Sequence, residues 1–350
     1  MSYQVLDSIK DKDKWMEFLD SFNDIEIDIY YLPEYMNLSI KDNNEALLFI
    51  YSHDKNFWIY PFFLTSINKA YLVNTKLIYK DIETAYGYSG PLSNSSNVNF
   101  IEKAQSIFSE WCHDKNVVAE FIRFHPLLKN TNFYKKNTII LYDRKTISIN
   151  LEKFNNEKNK FDAKTRNIIK KFYKENNYIK IVDSKKDYDL FKDLYLSNMK
   201  KKDATNFYYF DEKYFDRLFY FILEHGCIIN AYCKNNYLIG GAFILFSNQY
   251  AHYHLASSLK GKLYSGTSNA IIEKAIYISL DKNKKLLHLG GGVHSDNNDS
   301  LFKFKESMGN IMNEFYIGKK IYNLHIYNDI LNVFQSSKKD YDSKKVLFYK

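Results

Sequence analysis

The chain has 350 residues, with 49 Lys and Arg against 41 Asp and Glu, a formal charge of +8, and 45% apolar residues that include 31 Tyr and 27 Phe. This composition excludes a disordered chain, and at about 100–200 residues per domain it leaves room for two domains, each with its own core. The positive charge is nearly all Lys, interleaved with Asp and Glu and set among Asn, Ile, Tyr and Phe in the manner of AT-rich coding, so it does not by itself mark a nucleic-acid surface.

Arginine occurs only at Arg123, Arg144, Arg166 and Arg217, which singles those positions out for inspection. Cys112, Cys227 and Cys233 lack metal-finger spacing, and their odd number does not suit a disulfide framework. They read as small buried thiols in a reducing cytosol. The first 14 residues are charged rather than signal-like, and no apolar run approaches the roughly 20 residues of a membrane helix. A cytoplasmic protein without a transmembrane segment is expected.

In chain order, residues 11–22 carry Trp15, Phe18, Leu19 and Phe22 at helical spacing, and Pro33 opens a short helix toward Leu38. Residues 46–51 and 57–65 read as strands around a polar turn. Residues 86–91, Tyr-Gly-Tyr-Ser-Gly-Pro, form a loop. Residues 100–114 return to helix, and 117–124 and 137–142 are strands. The second half then gives a strand at 146–151 and helices at 158–176, 187–201 and 212–224. Three hairpin-like strands follow at 227–234, 237–246 and 250–257. A helix at 267–281, a strand at 286–289, a short helix at 300–307 and a strand at 313–321 complete it.

Three meandering strands, a crossover helix and a further strand make the layout of a GNAT acyltransferase fold. The last strand must lie parallel to an earlier one, which opens a wedge where a ligand can sit. The first half carries a weaker copy of the pattern. The expected fold is therefore mixed α/β, as two tandem GNAT-like domains. One spans 1–145, completed by about 322–350, and the catalytic one spans 146–321.

The most informative stretch is His288-Leu289-Gly290-Gly291-Gly292-Val293-His294, a polar segment at 295–299, then Ser300-Leu301-Phe302-Lys303-Phe304-Lys305 and onward to Gly309. A glycine triplet at a strand end lets backbone approach a ligand, although alone it is equally a tight turn. The polar segment suits a mobile lid. Ser300 or Asp299 would cap the helix that follows.

This stretch resembles the C-terminal signature of the Fem-type and BioF2-like branch of the GNAT superfamily. Other segments agree in order. Residues 164–171 resemble the basic helix that opens the family's second domain. Tyr195–Met199, Tyr209-Phe210 and Tyr214-Phe215 resemble its central helices, and Gly240-Gly241-Ala242 with 251–257 its strand pair. Residues 86–91 resemble a loop of its first domain.

The resemblance implies transfer of an acyl group to an amine of a cell-envelope precursor, either an amino sugar or a peptide. No tightly bound cofactor is implied. The co-substrate would be acyl-CoA or, alternatively, aminoacyl-tRNA, which would make tRNA a partner. The acceptor would be a small-molecule or nucleotide-linked amine. Lys305 matches the family's lid lysine, with Phe304 beside it, and would stabilise charge on the reacting oxygen or leaving group. Arg166 matches a helix arginine that would clamp an acceptor phosphate; its plain alternative is pairing with Asp162. Lys170 stands where family members that bind nucleotide-linked muropeptide carry tyrosine.

His254 is a candidate general base and Tyr253 a candidate hydrogen-bonding residue. His252 and His254 share a strand face and could ligate a metal with His288 or His294. No carboxylate or Cys completes such a set, so no metal is expected. Gly290, Gly291 and Gly292 are assigned to substrate, and Gly266, Thr267 and Ser268, at a helix start, to the donor. Neither a Gly-x-Ser-x-Gly elbow nor a Cys–His pair points to a covalent intermediate. The rival within the class is a tRNA-dependent peptidoglycan bridge aminoacyltransferase. The rival outside it is a non-catalytic RNA- or glycan-binding module.

Overall fold

A computed structural model describes residues 2–22, 27–72, 77–156, 161–201, 210–293, 296, 298–336 and 346–350. Tyr209, His294 and Ser295, used in the sequence reading, lie outside the described residues, as do 158–160 of the expected helix. Contacts divide the chain into two compact units, Met1–Asp143 with Glu314–Lys350, and Arg144–Asn313.

The first unit opens with β1 (Ser2–Asp7), α1 (Lys12–Asp20) and α2 (Pro33–Asn37). It continues through β2 (Asn44–His53), β3 (Asn56–Ser66), β4 (Lys80–Glu83), β5 (Leu92–Ser93), α3 (Val98–Asp114) and β6 (Val117–Arg123). The chain enters the second unit along β7 (Ile139–Asn150). There follow α4 (Leu151–Asn156), α5 (Ala163–Lys174), β8 (Tyr178–Val182), α6 (Lys185–Lys201) and α7 (Glu212–His225). Next come β9 (Gly226–Tyr232), β10 (Leu238–Phe246), β11 (Tyr250–Ser258), α8 (Thr267–Asp281), β12 (Leu286–Gly291) and α9 (Ser300–Glu306). The chain returns along β13 (Ile311–Ile321) and continues into α10 (Leu324–Ser336).

Strand order in the first unit is β1-β2-β3-β4-β6-β13, with β5 beside β3. In the second it is β7-β12-β11-β10-β9-β8. Each unit pairs its strands antiparallel except once, at β4/β6 in the first and β11/β12 in the second. A crossover helix joins each parallel pair, α3 and α8 respectively, as a parallel connection requires. The mixed α/β class is as expected.

The strands β1, β4 and β8 are additional to the sequence reading, and two expected elements differ in their bounds. The strands expected at 137–142 and 146–151 merge into the single strand β7, Ile139–Asn150. Asp143-Arg144-Lys145 interrupts the apolar pattern without breaking the strand, because those side chains stay at least partly solvated. Residues 314–321, read with the second half, are part of the first unit, where β13 pairs with β6.

The cores explain why the helices form where they do. Helix α8 carries a broad apolar face, and Ala270, Ile271, Ile272, Ala275 and Ile276 are fully buried. A face of that kind must be buried. It packs against Ile229, Ala242, Ile244, Leu287 and Leu289 of the sheet, each worth about 1.5–3 kcal/mol for the larger side chains. In the first unit the corresponding layer is aromatic. Phe49, Trp58, Tyr60, Phe62, Phe108, Trp111 and Tyr134 form one cluster between the sheet and α3. Among the described residues, no helix is long and apolar enough to cross a membrane.

Candidate active site

The second unit contains the wedge. β11 and β12 pair only from Tyr250↔Leu286 to His252↔His288, while β11 continues to Ser258 and β12 to Gly291. Beyond those histidines the two strands part. A bulge sits at the point of parting. On β10 the register steps from Phe243↔Leu255 to Ile244↔Tyr253, which leaves His254 as the extra residue. Bulges of this kind re-aim side chains next to functional sites.

The bulge turns neighbouring side chains to different tasks. Ala251, Tyr253 and Ala256 pack on the α8 side of the sheet, and burial pushes the Tyr253 hydroxyl pKa up. His254 Nε2 meets the Tyr214 hydroxyl of α7 at 3.0 Å. Burial, reinforced by His252, lowers the His254 pKa to about 3. An imidazole held there stays neutral throughout the physiological range. It can exchange a hydrogen bond with Tyr214, but it is a weak proton acceptor for the general-base role that its residue type suggested. The rings of His252 and His288 meet edge to face at 5.7 Å, and both are buried.

At the end of β12, Gly290 takes φ +77°, and the chain turns a corner. The next two glycines lie close against neighbouring groups of the chain. A Cβ on Gly291 would lie 3.0 Å from Arg144 Cδ, and one on Gly292 would lie 2.5 Å from Asp299 Oδ1. Arg144 Nη1 donates to the carbonyls of Gly292 at 3.0 Å and Val293 at 2.7 Å. Asp299 caps α9 by accepting from Phe302 N at 2.8 Å, and its other oxygen accepts from Val293 N at 3.0 Å. The expected cap at Asp299 therefore also ties the segment after the glycines back onto the helix.

Lys305, on the last turn of α9, reaches back over this corner and donates to the Gly291 carbonyl at 2.8 Å. The side chain is half-buried. Burial pushes its pKa down to about 8, with Asp299 opposing the shift and Arg144 adding to it. The ammonium is still mostly protonated at neutral pH. One of its three N–H donors is committed to Gly291, which leaves two for a ligand oxygen. Phe304 points elsewhere, partly buried against the α8 core.

The expected donor residues surround the start of α8. Gly266 is its N-cap at φ +87°, and no side chain caps the first turn. A Cβ at Gly266 would come within 2.8 Å of the Ile168 carbonyl, so α5 closes one side of this turn. Thr267 is buried and spends its hydroxyl on the Tyr264 carbonyl at 2.8 Å. Ser268 Oγ lies 2.9 Å from Ser258 Oγ on β11, and Asn198 of α6 donates to Ser257 Oγ at 2.7 Å. What is offered to an anion is therefore backbone N–H and helix dipole, more than the Thr267 hydroxyl.

Arg166 is not gathered with Lys305. It is exposed on α5 and donates to the Phe161 carbonyl one turn back, while Asp162 caps the helix at Thr165 N. A groove of about 740 Å³ lies at the opposite end of the same strands, lined by Asn150, Tyr250, Tyr277, Asp281, Lys285 and Leu286 among others. It contains none of the expected site residues, so its size does not make it the site. Arg144 and Tyr214 are the site neighbours to which sequence reasoning assigned no role. The scarcity of arginine was a signal for Arg144; nothing local pointed to the Tyr214–His254 contact.

No protein-family model matches the sequence, and a search of curated proteins found no match. Solved structures do match. FemX aligns with 97% of this chain and 100% of its own at TM-score 0.69 and 12% identity. L-PGS from Bacillus licheniformis aligns with 92% of this chain and 95% of its own at TM-score 0.59 and 13% identity. A tandem GNAT protein from the clavulanic acid biosynthesis pathway aligns with 92% of this chain and 98% of its own at TM-score 0.53 and 7% identity. At such identities the likeness speaks for the fold, and over nearly its whole length the chain has the fold of FemX and of tandem GNAT proteins.

Proposed function

We propose that the chain is an N-acyltransferase whose second unit joins an activated acyl group to an amine of a cell-envelope precursor. The observation that carries this reading is Lys305. A partly desolvated ammonium, with one of its three donors on the Gly291 carbonyl, sits at the glycine corner three residues beyond the last β11/β12 pair, His252↔His288. The fold shared with FemX, L-PGS and a tandem GNAT protein supports it.

In this reading the acyl carbonyl lies in the wedge, and the amine nitrogen attacks its carbon directly. The C–N bond forms as the C–S bond of a thioester, or the C–O bond of an aminoacyl ester, breaks. The proton lost by the amine is taken up by the leaving sulfur or oxygen. Lys305 donates to the oxygen on which negative charge gathers. One such donor in a water-poor site is worth about 3–4 kcal/mol, a rate factor of about 10²–10³. The uncapped first turn of α8 receives the donor's phosphate groups. Arg166, exposed on α5, would help hold an acceptor phosphate once released from the Phe161 carbonyl. Much of the remaining rate comes from holding donor and amine together.

Thermal unfolding of the full chain with free coenzyme A and, separately, with charged tRNA tests the reading. A ligand present at a hundredfold its Kd stabilises the folded state by about 2.7 kcal/mol. A shift with coenzyme A alone assigns a thioester donor, and a shift with charged tRNA alone assigns an aminoacyl donor. If neither ligand shifts the transition and Lys305→Ala leaves amine acylation unchanged, the reading fails. A binding module would instead show RNA or glycan affinity; for RNA it would fall steeply with salt.

A further inference from the structure

We propose that Arg144 is a positioning residue for Lys305: by gripping the two carbonyls that follow Gly291, it fixes the glycine corner so that the Gly291 carbonyl faces the ammonium. This rests on the reading of Lys305 as the group that meets the reacting oxygen.

Three consecutive carbonyls are held by two cations. Lys305 takes Gly291, and Arg144 takes Gly292 and Val293. The backbone ladder between β7 and β12 stops at Gly291↔Thr146. Arg144, just before it on β7, extends that ladder with its side chain past the strand end. The stem of Arg144 passes where a Gly291 side chain would be. Asp299 closes the other side through Val293 N and the space over Gly292. The corner is thus built around two side chains, and its glycines are the residues that admit them. Without Arg144 the Gly292 and Val293 carbonyls would lose this donor, and the Gly291 carbonyl could rotate away from Lys305.

Arginine suits this task because it stays charged over the whole range in which a lysine titrates. The charged groups acting on the Lys305 ammonium are Asp299 from the head of α9 and Arg144 from β7. Removing Arg144 takes away a like charge and loosens the burial of the ammonium, and both changes raise its pKa.

The test is an NMR titration of Lys305 in the full chain labelled on lysine side chains, with the resonance assigned by Lys305→Gln. In Arg144→Gln the midpoint should rise from about 8 toward the ordinary lysine value near 10.4. Amide exchange at Val293 should speed up in the same variant. Arg144→Lys keeps a cation and should fall between the two, which preserves a readout if Arg144→Gln does not fold. A folded variant with an unmoved Lys305 midpoint and unchanged Val293 exchange overturns the proposal. None of these readouts needs turnover. If they move as expected while Lys305→Ala leaves acylation intact, the positioning stands and the catalytic reading of Lys305 fails. In a working assay, Arg144→Gln should lower kcat much more than it raises KM, with little further loss when added to Lys305→Gln.

Discussion

The two units share one plan, a meander of strands followed by a crossover helix and a parallel strand, but they treat the gap beside that strand in opposite ways. In the first unit the gap is sewn shut. Thr84 Oγ1 accepts from Arg123 N, Arg123 donates back to the Thr84 carbonyl, and Ser89 N reaches the Arg123 carbonyl at 2.8 Å. Asn130 and Tyr31 then hold the carbonyls of Ser89 and Gly90. In the second unit the pair stops at His252/His288, and what lies beyond is a bulge, a glycine corner and a lysine. The crossover helices differ in the same sense. Asn97 caps α3 by accepting from Phe100 N, whereas α8 starts at an uncapped glycine. The difference is local: in the first unit side-chain and backbone hydrogen bonds bridge the gap beside the parallel strand, and in the second the corresponding backbone carbonyls are held by Arg144 and Lys305.

The largest expected effect breaks the sewn half. Glu120 is fully buried, and its Oε2 accepts from Tyr134 at 2.8 Å and Tyr322 at 2.7 Å. Burial pushes its pKa up, against the pull of Lys320. Glu120→Ala would remove the acceptor shared by both hydroxyls, which keep only each other, and leave a cavity beside Lys320, a loss of about 2–4 kcal/mol. Denaturant unfolding measures it. A loss under about 1 kcal/mol would mean that the network is not a support. Lys305→Ala is the matching test in the open half. It should cost about 3 kcal/mol in the rate barrier and leave unfolding almost unchanged. Equal damage to stability from both substitutions would erase the contrast.

How much of this contrast could be read from residues alone depends on range. Helix α8 and the three strands before it were legible because an apolar run at 267–281 and short polar turns are local signals. Lys305 was legible because its motif is contiguous. β1, β4 and β8 were not, since Lys80-Asp81-Ile82-Glu83 becomes a strand only when neighbours complete its ladder. The packing around Gly291 and Gly292 was not legible for the same reason. The side chains that fill their Cβ space come from β7 and from the head of α9, and no spacing rule links Arg144 to Gly291.

Each half also holds a group that titrates near neutrality, and the two should respond differently to pH. Asp81 is fully buried in the first unit, bonded by the Tyr349 hydroxyl at 2.5 Å, with Lys350 4.0 Å from its other oxygen. Burial raises its pKa from 3.8 to about 7, with Lys350 and Tyr349 pulling it down. A carboxyl raised in the folded state contributes stability below its unfolded value and loses it as pH climbs through the folded one. Stability of the first unit should therefore fall between about pH 4 and pH 7, and Asp81→Asn should flatten that slope and stabilise at pH 8. Lys305 should instead show in activity, with the rate declining above its pKa of about 8. An Asp81→Asn protein whose stability keeps the wild-type slope would place the titration elsewhere.

The smallest effect concerns the helix starts. Asn97→Ala removes the cap of α3 and should cost about 1 kcal/mol, seen as a small shift in unfolding midpoint. It should not touch donor binding, because α3 lies in the first unit and the proposed donor turn of α8 in the second. At α8 the same kind of change cannot be made by deletion, since there is no cap to remove. Gly266→Ala adds a methyl at a left-handed φ of 87°, where it would also press within 2.8 Å of the Ile168 carbonyl. That substitution should weaken whichever donor stabilises the wild type by more than it weakens the fold. If Asn97→Ala lowers donor affinity as much as Gly266→Ala does, then the uncapped turn of α8 is not where the phosphates sit, and the difference between the two helix starts has no bearing on function.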